Sequence, residues 1–150
     1  MPHFSIQRDH LHLIVEADGE KELRLGLRGF IIALARQVNR VLQRTGSLWA
    51  DRYHDRELGS PRETFNALTY VLNNDLKHGC RPADPARGIA MIDVYSSGPL
   101  FDGWTCKVMR ATYRVPWPDM APRTWMLGFG WRKHGFIDPR RTPGTRAIRR

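Results

Sequence analysis

Apolar residues along the chain change period several times, and each change predicts an element. From Glu20 to Arg44 the residues Leu23, Leu27, Phe30, Ile31, Leu34, Val38, Val41 and Leu42 recur at steps of three, four and one, the stripe of a long helix. Arg28, Arg36, Arg40 and Arg44 fall at multiples of four on another face. Before this helix, His10 to Glu16 alternates as a strand does, with Leu11, Leu13 and Val15 on one face, predicted to point into a core. Residues 3–7 read as the end of an earlier strand, and Asp18-Gly19 as a turn. Leu48 to Leu58 is predicted to be extended, with Trp49 and Tyr53 as strand-compatible bulk.

Ser60-Pro61-Arg62-Glu63 opens a second helix, with Ser at the N-cap, Pro at N1 and Glu at N3. It is predicted to run to His78, with Gly79 just beyond its end. Phe65, Leu68, Leu72 and Leu76 form its apolar stripe. Tyr70 and Asn74 lie near the opposite side, one turn apart. Eight of the ten prolines fall from Pro82 onward, so residues 80–150 are expected to be loops with short elements. Thr124 to His134 is a candidate short helix ended by Gly135. Trp104, Trp117, Trp125 and Trp131 lie in the same half, where they either seal a small core or stack bases.

Composition narrows the class. The 150 residues suffice for one domain with a core, and 41% hydrophobic with 26% charged residues fits a soluble globular protein. The run Phe30 to Ala35 is too short to span a membrane, and the first residues lack the pattern of a secretory signal. Cys80 and Cys106 form no Cys-x-x-Cys and read as thiols in a reducing cytosol. The net charge of +9 favours polyanions, nucleic acid first. Residues 123–150 supply seven of those nine charges, as a solvated tail or as a contact surface.

The candidate chemistry starts at His10-Leu11-His12. Two strand positions apart, the imidazoles share a face at a spacing of roughly 6–7 Å and can hold one divalent ion. For a lone His-x-His, half-exposed strand residues are the commoner explanation. Tyr70 adds a hydroxyl that can attack phosphorus, and a core tyrosine is the competing reading. A bound cation can polarise a phosphoryl oxygen. A phosphotyrosine keeps the energy of the phosphodiester, so a second strand's hydroxyl can reverse the step. No paired carboxylates accompany the histidines, which leaves a metal-dependent hydrolase with little support.

Three ordered segments resemble one family. Arg8-Asp9-His10-Leu11-His12-Leu13-Ile14-Val15-Glu16 is similar to the His-hydrophobe-His strand of the HUH single-tyrosine transposases, especially the REP-associated tyrosine transposases. Gly46-Ser47-Leu48-Trp49-Ala50-Asp51-Arg52-Tyr53 resembles that family's Gly-x-Leu/Val-Trp/Phe-x-x-Arg-Tyr segment. Tyr70-Val71-Leu72-Asn73-Asn74-Asp75-Leu76-Lys77-His78-Gly79 resembles its Tyr-Ile-x-x-Asn-Pro-Val-x-x-Gly helix, with Asp75 at the proline position.

The resemblance implies an α+β ferredoxin-like sandwich, an antiparallel sheet with helices packed on one face. Residues 1–79 would form the transposase-like domain, and residues 80–150 an irregular, basic, Trp- and Pro-rich extension. Against the family pattern the domain is N-terminally shortened by a strand and a helix, which predicts an uncovered sheet edge. The resemblance implies His10, His12 and Asn74 as ligands of Mg²⁺ or Mn²⁺ and Tyr70 as nucleophile. Hairpin-containing single-stranded DNA would be cut to a 5′-phosphotyrosine and a free 3′-hydroxyl. Arg28, Arg36, Arg40, Arg132 and Lys133 are the expected DNA contacts. The expected setting is the cytoplasm, at the nucleoid, with a homodimer as one assembly and no membrane partner. A non-catalytic or decayed DNA-binding protein that keeps the scaffold is the alternative.

Overall fold

The computed structural model describes residues 3–84, 86–109 and 121–144. Its class is mixed α+β. The elements are β1 (His3–Ile6), β2 (Leu11–Ile14), α1 (Glu20–Val41), α2 (Pro61–Leu72), α3 (Asn74–Lys77), β3 (Ile89–Ala90), β4 (Lys107–Val108) and α4 (Trp125–Gly128). Short 3₁₀ turns cover Gly98–Leu100 and Gly130–His134. The chain divides into two compact units, one of Met1–Val15 with Leu58–Arg150, the other Glu16–Glu57.

In the second unit, α1 stops at Val41, three residues short of the predicted end. Gln43 takes a left-handed φ of 51°. Its N–H reaches the Arg40 carbonyl at 3.3 Å, and the Arg44 N–H reaches that of Asn39 at 2.9 Å. This Schellman closure satisfies the last carbonyls and ends the helix. Beyond it, residues 48–58 join no strand, and bends at Leu48, Ala50 and Asp51 interrupt the first part of the run expected to be extended. The Trp49 indole instead donates to the Ile31 carbonyl of α1 at 3.2 Å. Along α1 the stripe Leu23, Leu27, Phe30, Ile31, Leu34 and Val38 is half-buried, and no residue of the helix is fully buried.

In the first unit, β1 and β2 pair antiparallel, with Ser5 opposite His12. The outer edge of β1 is not uncovered. Ser5 bridges Ser96 antiparallel, the Ile6 N–H donates to the Tyr95 carbonyl at 2.9 Å, and the Ser97 N–H donates to that of Phe4 at 3.0 Å. Residues 95–97 thus take the place of an edge strand, and the expected gap is filled from the C-terminal half. Asp93 anchors this join: it accepts from the Ser5 hydroxyl at 3.1 Å, the Gln7 amide at 3.2 Å and the Tyr95 N–H at 2.8 Å.

Helix α2 begins as its sequence predicts. The Ser60 hydroxyl oxygen accepts from the Glu63 N–H at 3.3 Å, and Glu63 in turn accepts from the Gly59 N–H at 3.0 Å. The core joins Ile14 of β2, Phe65, Leu68, Val71 and Leu72 of α2, and Phe101, Leu127, Trp131 and Ile137 from the C-terminal half. The compact unit therefore does not break at 79/80. Trp131 is buried among these side chains and donates its indole N–H to the Leu127 carbonyl at 3.0 Å. A Cβ at Gly103 would overlap the Trp131 ring, so only glycine allows that approach.

The predicted helix over 61–78 breaks at Asn73, whose φ of −115° and ψ of 16° end α2. Its buried amide donates to the carbonyls of Asp138 at 2.9 Å and Arg141 at 3.1 Å. Those tertiary bonds outcompete helical continuation, and α3 restarts at Asn74. Among the described residues, no helix is long and apolar enough to cross a membrane.

Candidate functional site

The strand alternation carries His10 and His12 to one side of β2, and their rings lie 4.7 Å apart, edge to face. Ile14 continues that side into the core, while Leu11, Leu13 and Val15 are only half-buried. This reverses the expected assignment of faces. In the first unit, the histidine side of β2 is the side that α2 covers, because Ile14 joins Phe65, Leu68 and Leu72 in one core.

The other residues come from α2 and α3. The Tyr70 ring meets that of His12 edge-on at 5.0 Å and keeps 37% of its surface exposed. Core residues Leu68 and Leu72 hold the helix down, and the phase of α2 leaves Tyr70 at the rim. The Asn74 side chain is buried, with its amide nitrogen 3.3 Å from His10 Nε2. Four predicted residues, His10, His12, Tyr70 and Asn74, are thereby gathered from two sequence segments.

Three neighbours escaped the sequence analysis. Asp9 Oδ1 lies 2.6 Å from His10 Nδ1. That hydrogen bond, first among its causes, holds the Asp9 carboxyl below its ordinary value. An ionised carboxylate only accepts, so the bond puts the proton on Nδ1 and leaves the Nε2 lone pair facing Asn74. The His78 ring lies 5.4 Å from that of His10, and Lys77 Nζ stands 4.7 Å from the centre of the Tyr70 ring. The available signal was spacing: His78 follows Asn74 by four positions, and Lys77 follows Tyr70 by seven.

His12 is set for lone-pair chemistry. Desolvation first, then the repulsion its protonated form would meet from Lys77 and from any charge on His10 and His78, holds its imidazole below the ordinary value. It is neutral at pH 7, and its Nε2 is buried with no protein hydrogen-bond partner. Asn74 Oδ1 is the second such atom in the cluster. Unpartnered buried acceptors are rare, and a cation is one of the species that satisfies them. Among the described residues, no three His, Cys, Asp or Glu side chains form a metal-binding group. The donor set here is two imidazoles and one amide, which fits a divalent ion that completes its shell with substrate oxygen.

The site is fixed from below by a buried ion pair. Arg81 donates from Nε to Asp75 Oδ2 at 2.7 Å and from Nη2 to the other carboxylate oxygen. Arg81 also reaches the carbonyls of Pro139 and Leu72 and the Asn73 amide oxygen. Asp75 thus locks α3, and with it Asn74, to the C-terminal segment.

Arg28, Arg36 and Arg40 are exposed on α1, in the second unit. Arg132 donates from Nη2 to both carboxylate oxygens of Asp102, each at 2.9 Å. Lys133 is exposed, with Nζ 4.9 Å from the centre of the Trp125 ring. Arg140 pairs with Asp84 at 2.7 Å. Trp117 and residues 145–150 lie outside the described residues. Comparison with family models, curated proteins and solved structures finds no match to this chain.

Proposed function

We propose that the protein is a DNA strand transferase of the HUH single-tyrosine type, acting on single-stranded DNA through Tyr70. The observation that carries this reading is the approach of the Tyr70 ring to His12 at 5.0 Å, beside Asn74 and His10. The resemblance in three ordered segments and the net charge of +9 support it. The fold proposed is a reduced ferredoxin-like sandwich. Its support is the run of three adjacent backbone segments, residues 95–97, β1 and β2, under α2.

In this reading the Tyr70 oxygen attacks the phosphorus of a phosphodiester. A tyrosine O–P bond forms as the P–O3′ bond breaks, and the phenolic proton ends on the departing 3′-oxygen. The product is a 5′-phosphotyrosine and a free 3′-hydroxyl, and the reverse step joins a new strand. His10, His12 and Asn74 are the groups that would hold Mg²⁺ or Mn²⁺, and the ion would polarise a phosphoryl oxygen. Asp9 orients His10, and the Asp75–Arg81 pair positions Asn74. The Lys77 ammonium beside Tyr70 favours the anionic charge that develops there.

The test is incubation of the full chain with Mn²⁺ and labelled single-stranded hairpins, including its own flanking DNA. An adduct resistant to SDS is expected, and Tyr70→Phe abolishes it while leaving DNA binding nearly intact. Adduct formation by the Phe variant would transfer the chemistry to another tyrosine. DNA binding by the wild type without any adduct would leave a non-catalytic DNA-binding protein.

A further inference from the structure

The corner formed by α4 and the following 3₁₀ turn carries an aromatic surface that the tyrosine site does not use. Trp125, Phe129 and Phe136 keep 56%, 68% and 52% of their surfaces exposed. Large rings normally bury themselves, so three at one corner need an explanation. The corner is built rather than loose. The Thr124 hydroxyl caps α4 by accepting from the Leu127 N–H at 3.4 Å, and Leu127 and Trp131 root the corner in the core. A Cβ at Gly130 would stand 2.8 Å from the Trp125 ring, so glycine is what lets the indole lie against the backbone.

Positive charge is interleaved with the rings. The Arg132 guanidinium carbon lies 5.9 Å from the centres of both the Phe129 and Phe136 rings, and Lys133 Nζ stands 4.9 Å from that of Trp125. Arg132 is held by Asp102, which fixes its guanidinium beside both phenyl rings. Phe129 and Arg132 also wall a cleft of about 470 Å³. Rings with open surface beside an anchored guanidinium and an exposed ammonium match the chemistry of unpaired bases on a phosphate backbone.

We propose that this corner is a stacking platform for single-stranded nucleic acid. Bases lie on Phe129 and Trp125, and Lys133 takes a phosphate. The proposal deepens the nucleic-acid reading above, but it does not depend on Tyr70 chemistry. Stacking is sequence-tolerant because every base has a π-face, so the platform supplies affinity without setting a target sequence.

The test is run in the full chain carrying Tyr70→Phe, so that no covalent adduct contributes. Fluorescence anisotropy compares oligo(dT) with an abasic oligonucleotide of equal length and charge. The Phe129→Ala and Trp125→Ala variants are expected to weaken oligo(dT) binding by about 5- to 100-fold each. Binding of the abasic strand stays unchanged, and circular dichroism verifies the fold. Lys133→Ala weakens both strands equally and lowers the salt slope by about one. Equal affinity of the two strands for the unsubstituted platform would overturn the proposal while leaving adduct formation by Tyr70 untouched. Loss of self-association in the ring variants, with oligo(dT) binding retained, would overturn it in favour of a protein contact.

Discussion

Asp75 and Arg81 form a two-pronged ion pair in the interior, with side chains only 5% and 6% exposed. Removing one partner leaves the other charge buried and alone. Asp75→Asn or Arg81→Met is therefore expected to destabilise by about 3–5 kcal/mol in urea unfolding. The double variant Asp75→Leu/Arg81→Met is expected to regain part of that loss. Recovery stays incomplete because Arg81 also serves three backbone and amide oxygens. Equal stability of the single variants and wild type would show that the pair does not anchor α3.

Asp9 touches none of the proposed ligands except His10, so it acts by orienting that ring. Asp9→Asn is expected to lower Mn²⁺ affinity by about tenfold, the low end for outer partners of a ligating histidine. His12→Ala is expected to abolish binding within the accessible range. Titration followed by electron paramagnetic resonance of free Mn²⁺ reads both, with no need of DNA. An Asp9 variant that binds as wild type does would remove Asp9 from the site.

Burial raises the Asp93 carboxyl above its ordinary 3.8, against the opposing hydrogen bonds from Tyr95 and Ser5. Between 3.8 and the native value, the folded protein holds a proton that the unfolded chain has lost. The contribution to stability is complete below 3.8 and declines as pH rises through the native value. Relative to Asp93→Asn, the wild type is expected to lose stability across that window and then run parallel. Urea midpoints of both proteins over the acid-to-neutral range decide this; curves parallel throughout would refute it.

Gly103 faces the Trp131 ring at a distance that no Cβ can occupy. Gly103→Ala is expected to destabilise by about 1–3 kcal/mol through overpacking, with Trp131 fluorescence shifted as the ring moves. An unchanged melting midpoint and emission maximum would mean that the ring yields freely.

Gln43 holds a left-handed conformation that a β-carbon disfavours. Gln43→Gly is expected to stabilise the end of α1 by about 1 kcal/mol and to slow amide exchange at Gln43 and Arg44. Faster exchange at those amides would contradict the strain.

Local signals carried the local elements. The Ser60–Glu63 cap, the β2 alternation and the α1 stripe read directly from the sequence because each depends on neighbours within one turn or one strand. The break at Asn73 did not, because its cause is two carbonyls some 65 positions away. The pairing of β1 with residues 95–97 was equally hidden: no periodicity marks a segment that pairs through two backbone bonds. Within the site, His10, His12, Tyr70 and Asn74 were legible by spacing and resemblance. Asp9 carries no pattern of its own, and Lys77 and His78 only their helical spacing from Tyr70 and Asn74. The faces of β2 were misassigned because alternation shows which residues share a side, not which side a later helix will cover.

The seating of Trp131 and Ile137 against Leu68 and Leu72 has a consequence for how the chain matures. The core closes only when segments far apart in sequence meet, and Ser97 reaches back 94 residues to His3. Such long-range closure slows folding, because the entropy of drawing the ends together is lost before the contacts reward it. Until Trp131 arrives, a growing chain presents Ile14, Leu68 and Leu72 without their cover. Synthesis halted near residue 79 would release an aggregation-prone fragment, not a smaller working protein.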